Sequence, residues 1–225
     1  MEKTPNKKPE RTFNENTNQQ VSKSKLVNEY ASAIMTNLKL NKLSSGTQLM
    51  MENEKMHANE AIESGIYVSW SSSSAFDCFR IGSNSTCICT HGFTQHEKIL
   101  SRKNFSSKCR QCGCKGFNFI PTLPEEIGEY WIPHQPKFDY SKWTAKCKCK
   151  HSWREHLVEK FLKCMSCSCF GFTSNFCCVV CDKFWHEHEI NYELEHDRMM
   201  KNKPIGNDWL PLSELPQISN LIYKK

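Results

Sequence analysis

Fourteen cysteines in a chain of 225 residues constrain the fold more than any other feature of the sequence. Hydrophobic residues make up 38% of the chain, and cysteine alone accounts for about 6% (14 of 225), so about 32% remains. Ordinary globular domains contain about 45% apolar residues. The length allows one ordinary domain with tails or two small ones. Because apolar packing alone is too sparse to hold such a fold, we expect disulfides or metal ions to cross-link it.

The N-terminal sequence favours metal ions over disulfides. Residues 1–20 contain no apolar run that resembles a signal peptide, and no stretch of the chain approaches 18 consecutive apolar residues. We therefore expect an intracellular, soluble protein of the cytoplasm or nucleus that makes no membrane contact. Thiols stay reduced in such compartments, so closely spaced cysteines interleaved with histidines indicate zinc ligands.

The cysteines and histidines form an internal repeat. The predicted ligands are Cys87, Cys89, His91, His96, Cys109, Cys112 and Cys114 in repeat one (87–119) and Cys147, Cys149, His151, His156, Cys164, Cys167 and Cys169 in repeat two (147–174). The first four positions are offset by 60 residues and the last three by 55, so the repeats differ only in one spacer. A Gly-Phe pair follows the last cysteine of each repeat after one residue. Seven ligand positions in the same order indicate two related metal-binding units.

A third cluster at 177–188 adds three more predicted ligands. Cys178, Cys181 and His188 have ligand spacing, whereas the neighbouring Cys177 is ambiguous because only one of the two adjacent cysteines fits a Cys-x2-Cys step. Cys78 lies outside the repeats, and we interpret it as a small buried hydrophobic residue. The predicted ligand set therefore contains seventeen residues.

The ligand types and spacings favour zinc. In an extended strand, side chains at positions i, i+2 and i+4 share one face, which predicts that Cys87, Cys89 and His91 lie together. A Cys-x2-Cys step forms a turn that directs two sulfurs at one ion. Iron–sulfur clusters are the alternative, but they generally use cysteine alone, and the repeats contain four histidines. Seventeen donors fill about four tetrahedral zinc sites per chain.

The sequence predicts a small zinc-stapled α+β or irregular domain built from the tandem Cys/His repeat, with one C-terminal helix and an N-terminal helical, partly disordered extension. The predicted parts are a disordered tail (1–22), a helical extension (23–64), the Cys/His-rich zinc-binding domain (75–205) and a C-terminal tail (206–225) that docks back through apolar residues. Within them we expect helices from Ser24 to near Leu43, from Thr47 to about Glu63, and from Asp182 to about Lys201.

Three runs of the sequence resemble a known family. They are FNFIPTLPEEIGEYW, WTAKCKCKHSWREH and SNFCCVVCDKFWHEHE, which are similar to the Cys/His-rich domain of the "family with sequence similarity 221" proteins. The resemblance covers about Cys87 to Asn207, and the first 64 residues carry no such resemblance. It implies a zinc-rich domain and names no reaction, substrate or catalytic residue.

Charge and ligand counting favour a binding protein. The net charge is +6; if thirteen of the fourteen cysteines, the predicted twelve and one more, bind as thiolates around about four Zn²⁺, they contribute −13 + 8 = −5 and lower it to about +1. Closed sites would consume nearly every donor, so we expect no enzyme. Glu97 follows one repeat histidine and Glu155 precedes another, and we interpret both as solvated or supporting residues.

We predict a non-enzymatic zinc-binding scaffold or interaction module with an unidentified protein partner. The alternative is a zinc-dependent nucleic-acid binder, since lysines, arginines and phenylalanines alternate around repeat one, although nucleic acid is disfavoured as a partner.

Overall fold

The structure, a computed structural model, describes residues 43–72, 77–97, 107–157 and 162–223. The predicted disordered tail (1–22) and the predicted helix that starts at Ser24 lie outside the described residues. The described ranges run from just before the second predicted helix to the C-terminal tail.

Helix α1 (Ser45–Ser64) opens the described region. It begins after Ser44, whose hydroxyl accepts a hydrogen bond from the Thr47 backbone N–H at 3.1 Å, and it ends at Gly65, which adopts the left-handed conformation with φ 66°. The predicted helix from Thr47 to about Glu63 is confirmed. Its buried residues face the rest of the fold, so α1 is packed onto the Cys/His-rich region rather than extending away from it.

The described residues contain five strands in two antiparallel sheets: β1 (Ile66–Ser71), β2 (Phe79–Arg80), β3 (His156–Leu157), β4 (Lys163–Cys164) and β5 (Glu189–Leu194). The larger sheet has the order β2-β1-β5, and the smaller one pairs β3 with β4. Strand β1 pairs along its whole length with β5, from Ile66 opposite Leu194 to Ser71 opposite Glu189. The central strand is accordingly the most buried one.

The predicted helix from Asp182 to about Lys201 is wrong. Asp182 adopts a left-handed turn with φ 59° rather than capping a helix. A short 3₁₀ helix (Trp185–Glu187) follows, then β5, and only Glu195–Met200 is α-helical and forms α2. Pairing with β1 explains the difference, because six backbone positions of β5 join a sheet whose existence the local helical pattern does not reveal.

Short 3₁₀ helices connect the remaining elements. The described residues contain them at Phe93–Gln95, Pro124–Ile127, Ile132–His134, Tyr140–Lys142, Trp153–Glu155, Trp185–Glu187 and Gly206–Trp209. Most are single turns, so the Cys/His-rich region is irregular and contains little regular secondary structure. The expected α+β or irregular character of the domain agrees with this description.

Aromatic rings and cysteine sulfurs form one continuous core. Trp185 is 2% exposed, donates its indole N–H to the Phe119 carbonyl at 2.9 Å, and packs against Trp70 and Phe79. Buried cysteines of repeat one and of the third cluster belong to the same cluster of contacts. The core of the sheet is therefore continuous with the donor-bearing loops of repeat one and of the third cluster.

The C-terminal tail docks back on the fold, as its apolar residues predict. Trp209 is 2% exposed and packs edge-on against Tyr67, with ring centroids 5.4 Å apart. The buried guanidinium of Arg198 lies 4.1 Å from a Trp209 ring centroid and forms ion pairs with Asp77 and Glu193, each at 2.8 Å. Helix α3 (Pro216–Tyr223) follows. Within the described residues, no helix has the length and apolar character needed to cross a membrane.

Candidate metal centres

The first three ligands of each repeat lie on a tight turn. In repeat one, Thr90 has φ 74°, the Thr90 N–H donates to the Cys87 carbonyl at 2.8 Å, and the Cys87 N–H donates to the His91 carbonyl at 3.0 Å. The predicted extended strand through these positions is therefore wrong. The chain reverses at Thr90, and this reversal directs Cys89 and His91 toward a shared centre.

The last three ligands of repeat one lie on a second turn, which we call the first knuckle (109–115). The Cys109 N–H donates to the Cys114 carbonyl at 3.0 Å, which closes the turn. The Arg110 N–H donates to the Gln95 carbonyl at 3.0 Å and so fixes the knuckle against the segment that carries His96. Two loops that are distant in sequence thus present their ligands to one region.

Two groups of four donors result in repeat one, and each group holds its ligand atoms within 4.8 Å of one another. The groups are Cys87, Cys89, His96 and Cys114, and Cys89, His91, Cys109 and Cys112. Cys89 belongs to both groups. In the first group the Cys87 and Cys114 sulfurs are 3.9 Å apart, and the Cys89 sulfur is 3.6 Å from His96 Nε2.

These separations match a tetrahedral zinc site. With Zn–S bonds of about 2.3 Å and Zn–N bonds of about 2.0 Å, two sulfurs on one ion lie about 3.8 Å apart, and a sulfur and a nitrogen about 3.5 Å apart. A disulfide would instead place two sulfurs about 2.0 Å apart. All fourteen cysteines are free thiols in this structure. The described donors are therefore spaced for a shared metal ion and not for disulfides.

Repeat two reproduces this geometry. Its groups are Cys147, Cys149, His156 and Cys169, and Cys149, His151, Cys164 and Cys167, with Cys149 common to both. The Cys147 and Cys169 sulfurs are 3.8 Å apart, and the Cys149 sulfur is 3.7 Å from His156 Nε2. Lys150 has φ 71° at the position that corresponds to Thr90. The second knuckle (164–170) is closed by the Cys164 N–H, which bonds to the Cys169 carbonyl at 3.2 Å.

The third group contains Cys78, Cys178, Cys181 and His188. The Cys181 sulfur lies 3.2 Å from His188 Nε2. The His188 ring is stacked near Trp185, with centroids 5.8 Å apart. Cys78 immediately precedes β2, so this group joins the β2 edge of the sheet to the segment that leads into β5.

Three of the histidines are oriented in the same way. His96, His156 and His188 each follow a cysteine by seven residues, lie just after a 3₁₀ turn, and place Nδ1 at 2.9 Å from the carbonyl oxygen four residues earlier. An Nδ1–H that donates to a carbonyl leaves Nε2 unprotonated and free to bind a metal. His96, His156 and His188 thus share one local geometry along with their Cys-x6-His spacing.

The other two histidines carry unsatisfied nitrogens. His91 Nδ1 and His151 Nδ1 are buried, and neither has a hydrogen-bond partner among the residues that the structure describes. Buried polar nitrogens without a partner are rare in folded proteins because desolvation is costly. A metal ion bound by Cys89, Cys109 and Cys112 would satisfy His91 Nδ1. The donor sets therefore fit metal ions.

Sulfur crowding shifts the acidity of two thiols. A hydrogen bond from Cys87 lowers the pKa of Cys114 to about 2, and a hydrogen bond from Cys78 lowers the pKa of Cys178 to about 4. Thiolate is the form that coordinates a metal. The direction of these shifts favours the thiolate form of Cys114 and Cys178.

All seventeen predicted ligands lie in these groups, and the structure adds one residue that the sequence interpretation missed. Cys78, interpreted above as a small hydrophobic residue, completes the third group. The sequence contains one indirect indication of a role for Cys78, because Cys178, Cys181 and His188 are only three donors and a closed tetrahedral site needs a fourth. Cys177 is exposed and lies outside the groups. The described residues offer five groups of donors, against about four predicted sites.

Glu155 supports the second knuckle. Its Oε1 accepts a hydrogen bond from the Ser152 N–H at 3.0 Å, its Oε2 accepts one from the Ser166 hydroxyl, and these bonds lower its pKa. The carboxylate therefore fixes the turn that orients His156. This placement agrees with the interpretation of Glu155 as a supporting residue.

Comparison with known proteins identifies relatives of the whole described region. The family model described as Protein FAM221A/B matches residues 41–223. The chain is 40% identical to human Protein FAM221B over 158 residues, which are 69% of this chain and 39% of the relative. It is 29% identical to Protein FAM221A of Xenopus tropicalis over 154 residues, 65% of this chain and 46% of that protein.

The match is wider than the resemblance found in the sequence. It begins at residue 41, so α1 belongs to the matched region, although the first 64 residues carry no evident resemblance by motif. The chain spans less than half of the length of these curated relatives. No solved structure matches the chain. With the family model covering most of its residues, this chain belongs to the FAM221 family.

Proposed function

We propose that this protein is a non-enzymatic interaction module that zinc ions hold in shape and that binds a partner protein through the second knuckle (164–170). The observation that carries the proposal is a difference between the two knuckles, which have the same ligand spacing but opposite surface chemistry. The donor sets support the choice of zinc and a non-catalytic role.

Zinc fits the donors better than the other common metals. Each group combines cysteine sulfurs with one histidine nitrogen, and the sulfur separations near 3.8 Å are those of a tetrahedral ion. Calcium and magnesium prefer oxygen ligands, and iron–sulfur clusters generally use cysteine alone. Zinc also has no redox chemistry of its own, which suits a structural role.

Closed coordination supports a structural role. Every group supplies four protein donors, which is the number that a tetrahedral zinc ion accepts. Catalytic zinc sites usually have three protein ligands and leave the fourth position for water or substrate. Sites of this composition stabilise the fold and leave no position at which the metal would activate water.

The second knuckle exposes apolar side chains where the first knuckle carries charges. Arg110 and Lys115 occupy the positions after the first and third cysteines of the first knuckle, and Met165 and Phe170 occupy the corresponding positions of the second. Met165 is 69% exposed and Phe170 is 87% exposed. A rigid turn that presents a methionine and a phenylalanine to solvent has the composition of an interface anchor.

The surroundings of the second knuckle are basic. Residues 142–183 contain eight lysines and arginines and three acidic residues. Lys163 lies over the Phe170 ring, with its Nζ 5.4 Å from the ring centroid. The partner that fits this surface best is a protein segment in which apolar residues are flanked by acidic side chains.

The test exchanges the chemistry of one knuckle for that of the other. Met165→Arg with Phe170→Lys gives the second knuckle the side chains that the first already carries at these positions, so the fold and zinc content should stay unchanged. Tagged full-length protein and this double variant are compared in quantitative pull-downs, and a captured protein is then titrated in purified form. We expect at least a tenfold loss of affinity in the variant.

Met199→Arg with Met200→Lys is the matched control, because these two methionines of α2 are also exposed, at 56% and 73%. Partner binding should survive the control change. Equal loss of partner binding in both variants, or no loss in either, would contradict the assigned surface.

Binding of nucleic acid is tested in parallel. DNA and RNA should bind more weakly than about 10 μM at physiological salt. Submicromolar binding at that salt would favour the nucleic-acid alternative.

A further inference from the structure

We infer that Cys89 and Cys149 are bridging thiolates, each shared by two zinc ions, so that the chain holds two paired zinc clusters and one single zinc, five ions in all. This inference rests on the proposed use of zinc, but it does not depend on the proposed interaction surface. It concerns the number and connection of the ions.

The donor count leads to shared sulfurs. The five groups contain eighteen different residues, thirteen cysteines and five histidines, and five tetrahedral ions require twenty coordination positions. The difference of two equals the number of residues that occur in two groups, Cys89 and Cys149. Each repeat thus supplies seven donors for the eight coordination positions of two ions. One sulfur that binds both ions accounts for the eighth position.

The two buried histidine nitrogens that have no hydrogen-bond partner among the described residues support the presence of both zinc ions in each pair. An ion bound by Cys87, Cys89, His96 and Cys114 alone would leave His91 Nδ1 buried without a partner. The same holds for His151 Nδ1 in repeat two. The second ion of each pair coordinates that nitrogen, so single occupancy leaves a desolvated polar atom that double occupancy satisfies.

Charge balance also favours the pair. Five thiolates and two Zn²⁺ sum to −5 + 4 = −1, and two histidines add no charge, so each pair is close to neutral despite holding two dications. The third group contributes −3 + 2 = −1. All five ions with thirteen thiolates contribute −13 + 10 = −3, which changes the formal net charge of +6 to +3.

Zinc counting on matched variants tests the bridge. Elemental analysis and native mass spectrometry should give five zinc ions for the full-length wild-type chain. Cys112→Ala removes a ligand from one ion and should leave four, whereas Cys89→Ala removes a ligand from two ions and should leave three. Cys167→Ala and Cys149→Ala form the equivalent pair in repeat two.

If a variant fails to fold, cadmium NMR of the wild-type protein still tests the bridging sulfurs. The wild-type protein is loaded with ¹¹³Cd²⁺, and a bridging sulfur should produce scalar coupling between two cadmium resonances in each pair, while the fifth resonance stays uncoupled. Three zinc ions per wild-type chain, or uncoupled cadmium resonances, would overturn the inference while leaving zinc binding intact. Loss of partner binding with five ions present would overturn only the interaction surface, and a metal-free protein would overturn both proposals.

Discussion

Glu126 is a buried carboxyl group with an unusual acidity. It lies in the 3₁₀ helix Pro124–Ile127, is 8% exposed, and accepts hydrogen bonds from the backbone N–H groups of Thr122 and Leu123 on one oxygen, Oε2. Burial raises its pKa from the ordinary 4.5 to about 7. The folded protein therefore holds this proton more tightly than the unfolded chain does.

Stability should fall with rising pH across the interval between these two pKa values. Between pH 4.5 and 7 the folded state binds more protons than the unfolded state, so the free energy of unfolding decreases as pH rises. From pH 6 to pH 8 the loss amounts to about 1 kcal/mol. Glu126→Gln keeps an oxygen acceptor for both N–H groups and should remove this loss.

Urea denaturation of the zinc-loaded proteins at pH 6, 7 and 8 measures the effect. The wild type should lose stability relative to Glu126→Gln as pH rises, and the gap between the two should level off above pH 8. A difference that is constant over this range would show that Glu126 titrates normally in the folded state.

Cys78 and Cys177 show what local sequence can and cannot reveal about single residues. Cys177 is adjacent to a predicted ligand but is exposed and outside the groups, whereas Cys78 is isolated in sequence and completes a group. The sheet brings Cys78 to the third group, since β2 pairs with β1 and β1 pairs with β5. Spacing within a loop predicts which donors lie close together, but the pairing of strands brings the sequence-remote donor, Cys78, to its group.

The contrast between these cysteines gives a second prediction. Cys78→Ser should lower the zinc content by one ion, because it removes one of four donors, while Cys177→Ser should leave the content unchanged. Elemental analysis of the two purified variants measures the difference. Equal zinc contents in the two variants would mean that Cys78 is not a ligand.

At the scale of elements, the two repeats have similar backbone turns, but their donor side chains differ in burial. All four donors of the group Cys87, Cys89, His96 and Cys114 are buried. In repeat two, Cys149 and Cys169 are only half-buried and Cys167 is exposed. Exchange of a bound ion with a chelator requires access to its ligands, so the burial difference should appear as a difference in rate.

A chelator should therefore remove zinc in phases. With excess competing chelator and a colorimetric readout, the ions of repeat two should leave at least several-fold faster than those of repeat one. Cys167→Ala, which depletes repeat two, should reduce the amplitude of the fast phase. Cys112→Ala should reduce the slow phase. If Cys167→Ala instead reduced the slow phase and Cys112→Ala the fast phase, burial would not control the rate of zinc release.

Sequence spacing predicted which donor residues lie close together far better than it predicted the elements around them. Cys-x2-Cys and Cys-x6-His steps are local, so the residues that make them can be read directly. The strand expected through Cys87 and His91 is a turn with a left-handed Thr90, and the helix expected after Asp182 is mostly β5. The turn at Thr90 is closed by local hydrogen bonds that the alternating donor pattern does not reveal, whereas β5 forms through long-range pairing with β1, which leaves no local pattern.

At the scale of the whole molecule, the donor cysteines of repeat one and of the third group are part of the aromatic core. Cys87, Cys114 and Cys178 belong to the same contact cluster as Trp185 and Phe119. Without metal, buried thiolates in this cluster would repel one another or would have to be protonated. Because the apolar core is small, metal binding energy should contribute much of the folding energy.

Removal of the ions of repeat one and of the third group should therefore unfold the core cooperatively. Helix α1 should be lost with the core, since most of the stability of a helix in a protein comes from tertiary packing, and α1 is held by contacts such as the Glu54–Arg80 ion pair at 2.7 Å. Circular dichroism in the near and far ultraviolet should lose signal together as chelator is added, and restored zinc should recover both. Trp185, at the centre of the core, should become solvent-exposed in the same step, which tryptophan fluorescence follows. If elemental analysis confirms the loss of zinc while both signals and protease resistance persist, packing rather than metal maintains this fold.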